Sequence, residues 1–177
     1  FEYVNVWPRP YQKPHPPIWC PSQGSVETIE WAAHPDRKYT YLQAYSPFDS
    51  VQRYLDLYRD SAERLYGYTA SSEQIAWSTP VYVGETDDAA IAEAAPHMES
   101  LFNVFLPKIS QTMFFPPGYM SNQSMKNIMA HKRAARGGQV IQDMIDKGIV
   151  ICGSPDTVRK TIVDRHHRAG FQNLVCM

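Results

Sequence analysis

The chain has 177 residues, 44% of them apolar and 12% aromatic, so it can bury a core and fits one globular domain or a large part of one rather than a disordered segment. A formal net charge of -1 and a pI near 6.6, with Lys and Arg scattered along the chain, argue against nucleic acid or an anionic membrane as partner and point to small ligands. No apolar run approaches the roughly 18 to 20 residues needed to span a bilayer, and no basic start leads into a signal-type segment, so a cytoplasmic location is expected.

The first residues are rich in proline. Pro14-His15-Pro16-Pro17 alone would suit a polyproline-binding domain, but Trp7, Tyr11, Ile18 and Trp19 interleave with the prolines and predict a segment packed on the fold. Pro17-Ile18-Trp19-Cys20 reads as a strand, and it runs into Gln23-Gly24-Ser25-Val26-Glu27-Thr28. Gly24 allows a close turn, Ser25 can cap a helix over residues 25–34, and Thr28 adds a hydroxyl one turn on. Two readings fit these residues: an ordinary capped helix after a strand, or an anion seat in which backbone N–H groups and two hydroxyls converge on one phosphate.

Lys38-Tyr39-Thr40-Tyr41-Leu42-Gln43-Ala44-Tyr45 predicts a second strand. Over residues 48–66, Val51, Tyr54, Leu55, Tyr58, Ala62, Leu65 and Tyr66 recur at helical spacing, with Asp49 or Ser50 as cap and Gly67 as stop. Residues 75–83 alternate as a β-rich strand in which Pro80 marks an irregularity. Thr86-Asp87-Asp88 opens the next helix, because a hydroxyl followed by two acids complements a helix N-terminus. Ser154-Pro155-Asp156 opens another, which Gly170 stops before the strand-like run Asn173-Leu174-Val175-Cys176.

Strands alternating with helices at this rhythm predict about four βα units on a parallel sheet. Residues 103–137, with Phe114-Phe115-Pro116-Pro117-Gly118-Tyr119-Met120 and Gly137-Gly138, break the rhythm and read as an insertion, either a functional lid or a segment that only packs against helices. Because the chain opens at Phe1 and stops inside its last strand, a fragment of a larger fold is expected. Cys20, Cys152 and Cys176 are odd in number and widely spaced, which predicts buried thiols rather than disulfides. His166 and His167 point about 100° apart on a helix and cannot share an ion, so no metal is expected.

Taken in order, several strings resemble the bacterial-luciferase-like flavin-dependent monooxygenases. Val4 to Trp19 is similar to that family's proline-rich lead into its fifth barrel strand, and Gly24-Ser25-Val26-Glu27-Thr28 with Glu30-Trp31-Ala32-Ala33 to the turn and helix that hold the flavin phosphate. Tyr82-Val83-Gly84-Glu85-Thr86-Asp87-Asp88-Ala89, Pro116-Pro117-Gly118-Tyr119 and Gly153-Ser154-Pro155-Asp156-Thr157-Val158 extend the match over nearly the whole chain.

The resemblance implies an α/β fold of the (β/α)8 TIM-barrel type, of which residues 1–177 would supply strands five to eight and the insertion. It implies phosphate contacts at Gln23, Gly24, Ser25 and Thr28, reduced FMN as cosubstrate, and O2-dependent oxygenation of a small organic substrate. A separate flavin reductase and a homo- or hetero-oligomer would be the partners. Luciferases proper carry an acid where this chain has Gly24, which points away from luminescence. The family's catalytic groups and phosphate-clamping Arg belong to the other half of the barrel, so no catalytic residue is assigned here. Tyr41 and Gln43 either edge the isoalloxazine or fill the barrel interior. Two other functions stay open: a deazaflavin-dependent dehydrogenase on the same barrel, and a non-catalytic flavin-binding partner subunit.

Overall fold

In the computed structural model, residue 5 and residues 7–109, 121–122, 125–126 and 138–177 are described. The elements run β1 (Trp19–Ser22), α1 (Val26–Ala33), β2 (Thr40–Ala44), α2 (Phe48–Tyr66), β3 (Ile75–Thr79), β4 (Val81–Val83), α3 (Asp87–Ser100), α4 (Ile141–Asp146), β5 (Ile151–Gly153), α5 (Pro155–Ala169) and β6 (Asn173–Cys176). Four strands form one parallel sheet in the order β1-β2-β3-β6, while β4 and β5 pair, also parallel, in a second. This is the α/β layering of a partial barrel, with strands and covering helices in succession.

The alternation of side chains along the strands sets the core. Tyr41 and Gln43 on β2, with Ile75, Trp77 and Thr79 on β3, point to the helices, and α1 and α2 cover them with Ile29, Ala32, Val51, Tyr54, Leu55, Tyr58 and Ala62. Phe48 and Phe171 flank Trp77 at ring distances of 5.4 and 5.5 Å. Each wholly buried aliphatic such as Leu55 contributes about 1.5–3 kcal/mol.

Helix α2 carries the spacing read from the sequence and ends at Gly67, whose φ of 69° is the left-handed C-cap. Its start differs. Neither Asp49 nor Ser50 caps it: Pro47 holds the cap position without a side-chain bond, and the Phe48 N–H donates to the Lys147 carbonyl at 2.9 Å. Packing of Phe48 on Trp77 pulls the first turn earlier, and a tertiary bond satisfies the end group that a cap would have served.

The run at 75–83 is two strands. Pro80 offers no N–H to a ladder, so β3 stops at Thr79 and β4 pairs with β5, whose Ile151 N–H is taken by the Pro80 carbonyl at 2.9 Å. The short strand β5 was not legible as a separate element. Thr86 and Ser154 do cap α3 and α5, accepting from the N–H groups of Ala89 and Thr157.

Two expectations about burial fail. Cys152 is buried and Cys20 half-buried, but Cys176 is exposed, at the last position of an edge strand. Trp7, Tyr11, Ile18 and Trp19, all expected to pack, are exposed: no element among the described residues covers the first two, and Ile18 and Trp19 lie just before and at the start of the edge strand β1. Most of the expected insertion, residues 110–120, 123–124 and 127–137, lies outside the described residues. At its margins Asn103 accepts from the Gln139 N–H at 2.7 Å and donates to the Gln139 carbonyl at 2.9 Å, so the chain departs and returns at one place. No helix among the described residues is long and apolar enough to cross a membrane.

Candidate functional site

The turn between β1 and α1 lies at the C-terminal end of a parallel strand, where βα-barrel proteins build their sites. Gly24 has a φ of 102°, and a Cβ placed on it would stand 2.2 Å from Cζ of Tyr54, so glycine is required there for both conformation and space. Ser22 organises the turn: its Oγ accepts from the N–H groups of Gly24 at 3.1 Å and Ser25 at 3.2 Å. Ser25, in extended conformation, caps α1 by accepting the Thr28 N–H at 3.3 Å, and its own O–H donates to Glu27 Oε2 at 2.9 Å.

Ser25 is nearly buried, Thr28 half-buried and Gln23 exposed. No hydrogen bond of the Thr28 hydroxyl occurs among the described residues, which leaves it available to a ligand. The structure thus brings Gly24, Ser25 and Thr28 together at one helix start, with Gln23 on the outside of the turn.

Beneath the turn lies a buried polar chain. The Tyr41 phenol, in contact with Ser22, donates to Gln43 Oε1, and Gln43 Nε2 donates to Ser46 Oγ at 2.7 Å, which donates to the Ala44 carbonyl at 3.2 Å. Burial pushes the Tyr41 phenol far up, so it remains a protonated donor. Tyr41 also stacks on Tyr58 of α2 at 5.8 Å. Tyr41 and Gln43 therefore face the helices and support the turn from below. Neither edges the opposite sheet face, where a barrel-bound ring would lie; that face carries Leu42, Ala44, Ala76, Ser78 and Val175 by register. At the end of β2, Tyr45 adopts a φ of 51°, rare for a non-glycine, and meets Phe102 edge-on at 6.3 Å. Phe102 belongs to a π-helical turn, Leu101–Phe105, a form found often near functional sites.

The donor set suits a phosphate: a helix start, a capping hydroxyl and a second hydroxyl one turn on. One group opposes it. The Glu27 carboxylate holds the Ser25 proton, and a bound dianion would need that hydroxyl and would repel that charge. Three residues with a part in this turn were not singled out from the sequence: Ser22, Glu27 and Tyr54. Ser22 had a readable signal, a hydroxyl two residues before the glycine of a turn. Glu27 is as local, two residues after the Ser25 cap that it accepts from, whereas the place of Tyr54 depends on α2 packing against α1, which no local pattern announces.

A run of parallel strands alternating with covering helices, with a hydroxyl-bearing turn at a strand's C-terminal end, is the layout of part of a βα barrel. The chain belongs to the luciferase-like monooxygenase family, whose sequence pattern matches residues 1–173. Among solved structures it is similar to the monooxygenase RslO1 from Streptomyces bottropensis, with 21% identity, a TM-score of 0.58, and coverage of 98% of this chain and 44% of that one. It is also similar to the oxygenating constituent of 3,6-diketocamphane monooxygenase from Pseudomonas putida, solved with FMN, at 19% identity and a TM-score of 0.59 over 89% of this chain and 40% of that one. A third is the coenzyme F420 dependent tetrahydromethanopterin reductase from Methanopyrus kandleri, at 19% identity and a TM-score of 0.54 over 90% and 44%. The chain spans under half the length of these proteins, and the likeness shows their shared fold. No curated protein matches it significantly.

Proposed function

We propose that this chain is the phosphate-holding half of a flavin-dependent monooxygenase that uses reduced FMN and O2 to oxidise a small organic substrate. The observation that carries the reading is the Gly24 turn, where Ser25, the unengaged Thr28 hydroxyl and the first turn of α1 meet at the end of β1. Gln23 joins them as an exposed donor at the rim. Reduced flavin, when bound, would supply the electrons that activate O2; the fold supplies binding and orientation.

Each residue has a separate part. Gly24 lets the backbone pass close beneath the phosphate, and Ser22 fixes the turn through two N–H bonds. Ser25 would turn its proton from Glu27 to a phosphate oxygen while still accepting the Thr28 N–H. Thr28 would add its O–H. The Tyr41-Gln43-Ser46 chain keeps this geometry stiff without touching the ligand. The insertion rooted at Asn103 and Gln139 would exclude water from the site, and a separate reductase would deliver reduced flavin.

Similarity to an F420-dependent reductase of the same fold keeps a second reading in view, hydride transfer with a deazaflavin and no oxygen. Fluorescence titration of the full-length protein with FMN and with the deazaflavin separates the two, followed by oxygen uptake with reduced FMN over a substrate panel. Quenching by FMN with substrate-dependent oxygen uptake supports the monooxygenase. Binding of the deazaflavin alone would overturn it, and FMN binding with no uptake above the free-flavin rate would leave a non-catalytic flavin-binding subunit.

A further inference from the structure

We propose that Arg53, on α2, is a phosphate-binding residue of the same site, recognising the dianionic end of the flavin nucleotide; this rests on the phosphate reading of the Gly24 turn. The link between helix and turn is Tyr54. Its ring lies so close under Gly24 that its hydroxyl would stand 2.7 Å from a Cβ there. Arg53 Nη2 donates to that same hydroxyl at 3.3 Å, and the guanidinium stands 4.9 Å from the Tyr54 ring centre. The guanidinium is therefore held about 6 Å or less from the Cβ position on Gly24, 3.3 Å to the hydroxyl and 2.7 Å onward.

Arg53 is also short of acidic company. Arg59 is paired with Asp56, Arg159 with Asp156, and Arg168 with Asp49 and Asp164. Arg53 is exposed and has no carboxylate within ion-pair distance among the described residues. Its one side-chain bond is to a neutral phenol, so most of its five donors remain for an anion. Stacking on Tyr54 limits its rotamers, which lowers the entropy lost when it binds.

The test uses the full-length protein, titrated with FMN and with riboflavin, which lacks the phosphate. Arg53→Gln should weaken FMN binding about two- to fivefold, as for an exposed charged contact, and leave riboflavin unchanged. The difference from wild type should shrink as salt rises, and Arg53→Lys should recover part of it. Thr28→Val serves as the control for the seat itself. If Thr28→Val weakens FMN and Arg53→Gln does not, the Arg53 assignment is wrong and the seat stands. Equal loss of FMN and riboflavin in Arg53→Gln would mean that it acts through the fold, which also overturns the assignment. If neither substitution affects FMN, the phosphate reading fails and the Arg53 proposal with it.

Discussion

The two sheets of this chain are built differently. The four-stranded sheet packs on α1 and α2 through large buried side chains, Trp77, Tyr41, Tyr58, Ile29 and Leu55, and carries a buried polar chain under the Gly24 turn. The pair β4 and β5 packs on α3 and α4 through a smaller cluster, Ala90, Ala94, Ile141, Met144, Ile149, Val150 and Cys152. Stacked rings and a satisfied polar network fix a single arrangement, whereas the second region rests on non-aromatic buried side chains and two strands of three residues each. The candidate phosphate seat stands on the first region. The residues that root the insertion, Asn103 and Gln139, stand beside the second, with Glu99 accepting the Ile141 N–H at 3.0 Å. A stiff seat beside a more loosely held margin is the division of labour expected where one end of a ligand is fixed and its surroundings must open and close.

The largest effect should come from the stiff region. Gly24→Ala meets both an unfavourable φ and the Tyr54 ring, and we expect it to cost about 2–4 kcal/mol in chemical denaturation. Wild-type stability in this variant would break the contrast, because the turn would then tolerate the movement that we say it resists. Next, Tyr41→Phe removes the donor to Gln43 and leaves a buried carbonyl oxygen unpaired, at about 1–3 kcal/mol, with weaker FMN binding as the turn loosens.

Smaller changes belong to the second region. Asn103→Ala should lose about 1 kcal/mol and speed amide exchange at Gln139 while leaving FMN affinity in place. A matching loss of FMN affinity would show the two regions to be one unit. The smallest effect concerns Asp87, whose carboxylate accepts the Ser154 N–H at 2.6 Å and the Thr157 O–H at 3.0 Å, bonds that hold its pKa below the ordinary 3.8. A depressed carboxylate stabilises the fold above its unfolded pKa and loses that contribution as pH falls through the folded value. The junction of α3 and α5 should therefore loosen only below about pH 4, and Asp87→Asn should remove that dependence in acid denaturation followed by amide exchange.

Most of the first region was legible in the sequence because its signals are local. The spacing of Val51, Tyr54, Leu55 and Tyr58 and the stops at Gly67 and Gly170 each act within a turn or two, and the structure places them accordingly. What escaped the sequence depends on distant contacts. The α2 start is set by Phe48 against Trp77, β5 exists because Pro80 releases β4 to it, and the orientation of Tyr41 and Gln43 depends on strand register. The site was legible in the same proportion: Gly24, Ser25 and Thr28 are contiguous, while Tyr54 reaches it only through the α1–α2 packing.

If the turn after β1 holds a flavin phosphate, the FMN affinity of Thr28→Val in the full-length protein must report it. Removing the hydroxyl while keeping its shape should weaken FMN by roughly 0.5 to 3 kcal/mol, the range for hydrogen bonds including those to charged groups, and leave riboflavin binding as in wild type. Unchanged FMN affinity would contradict the account and place the phosphate elsewhere.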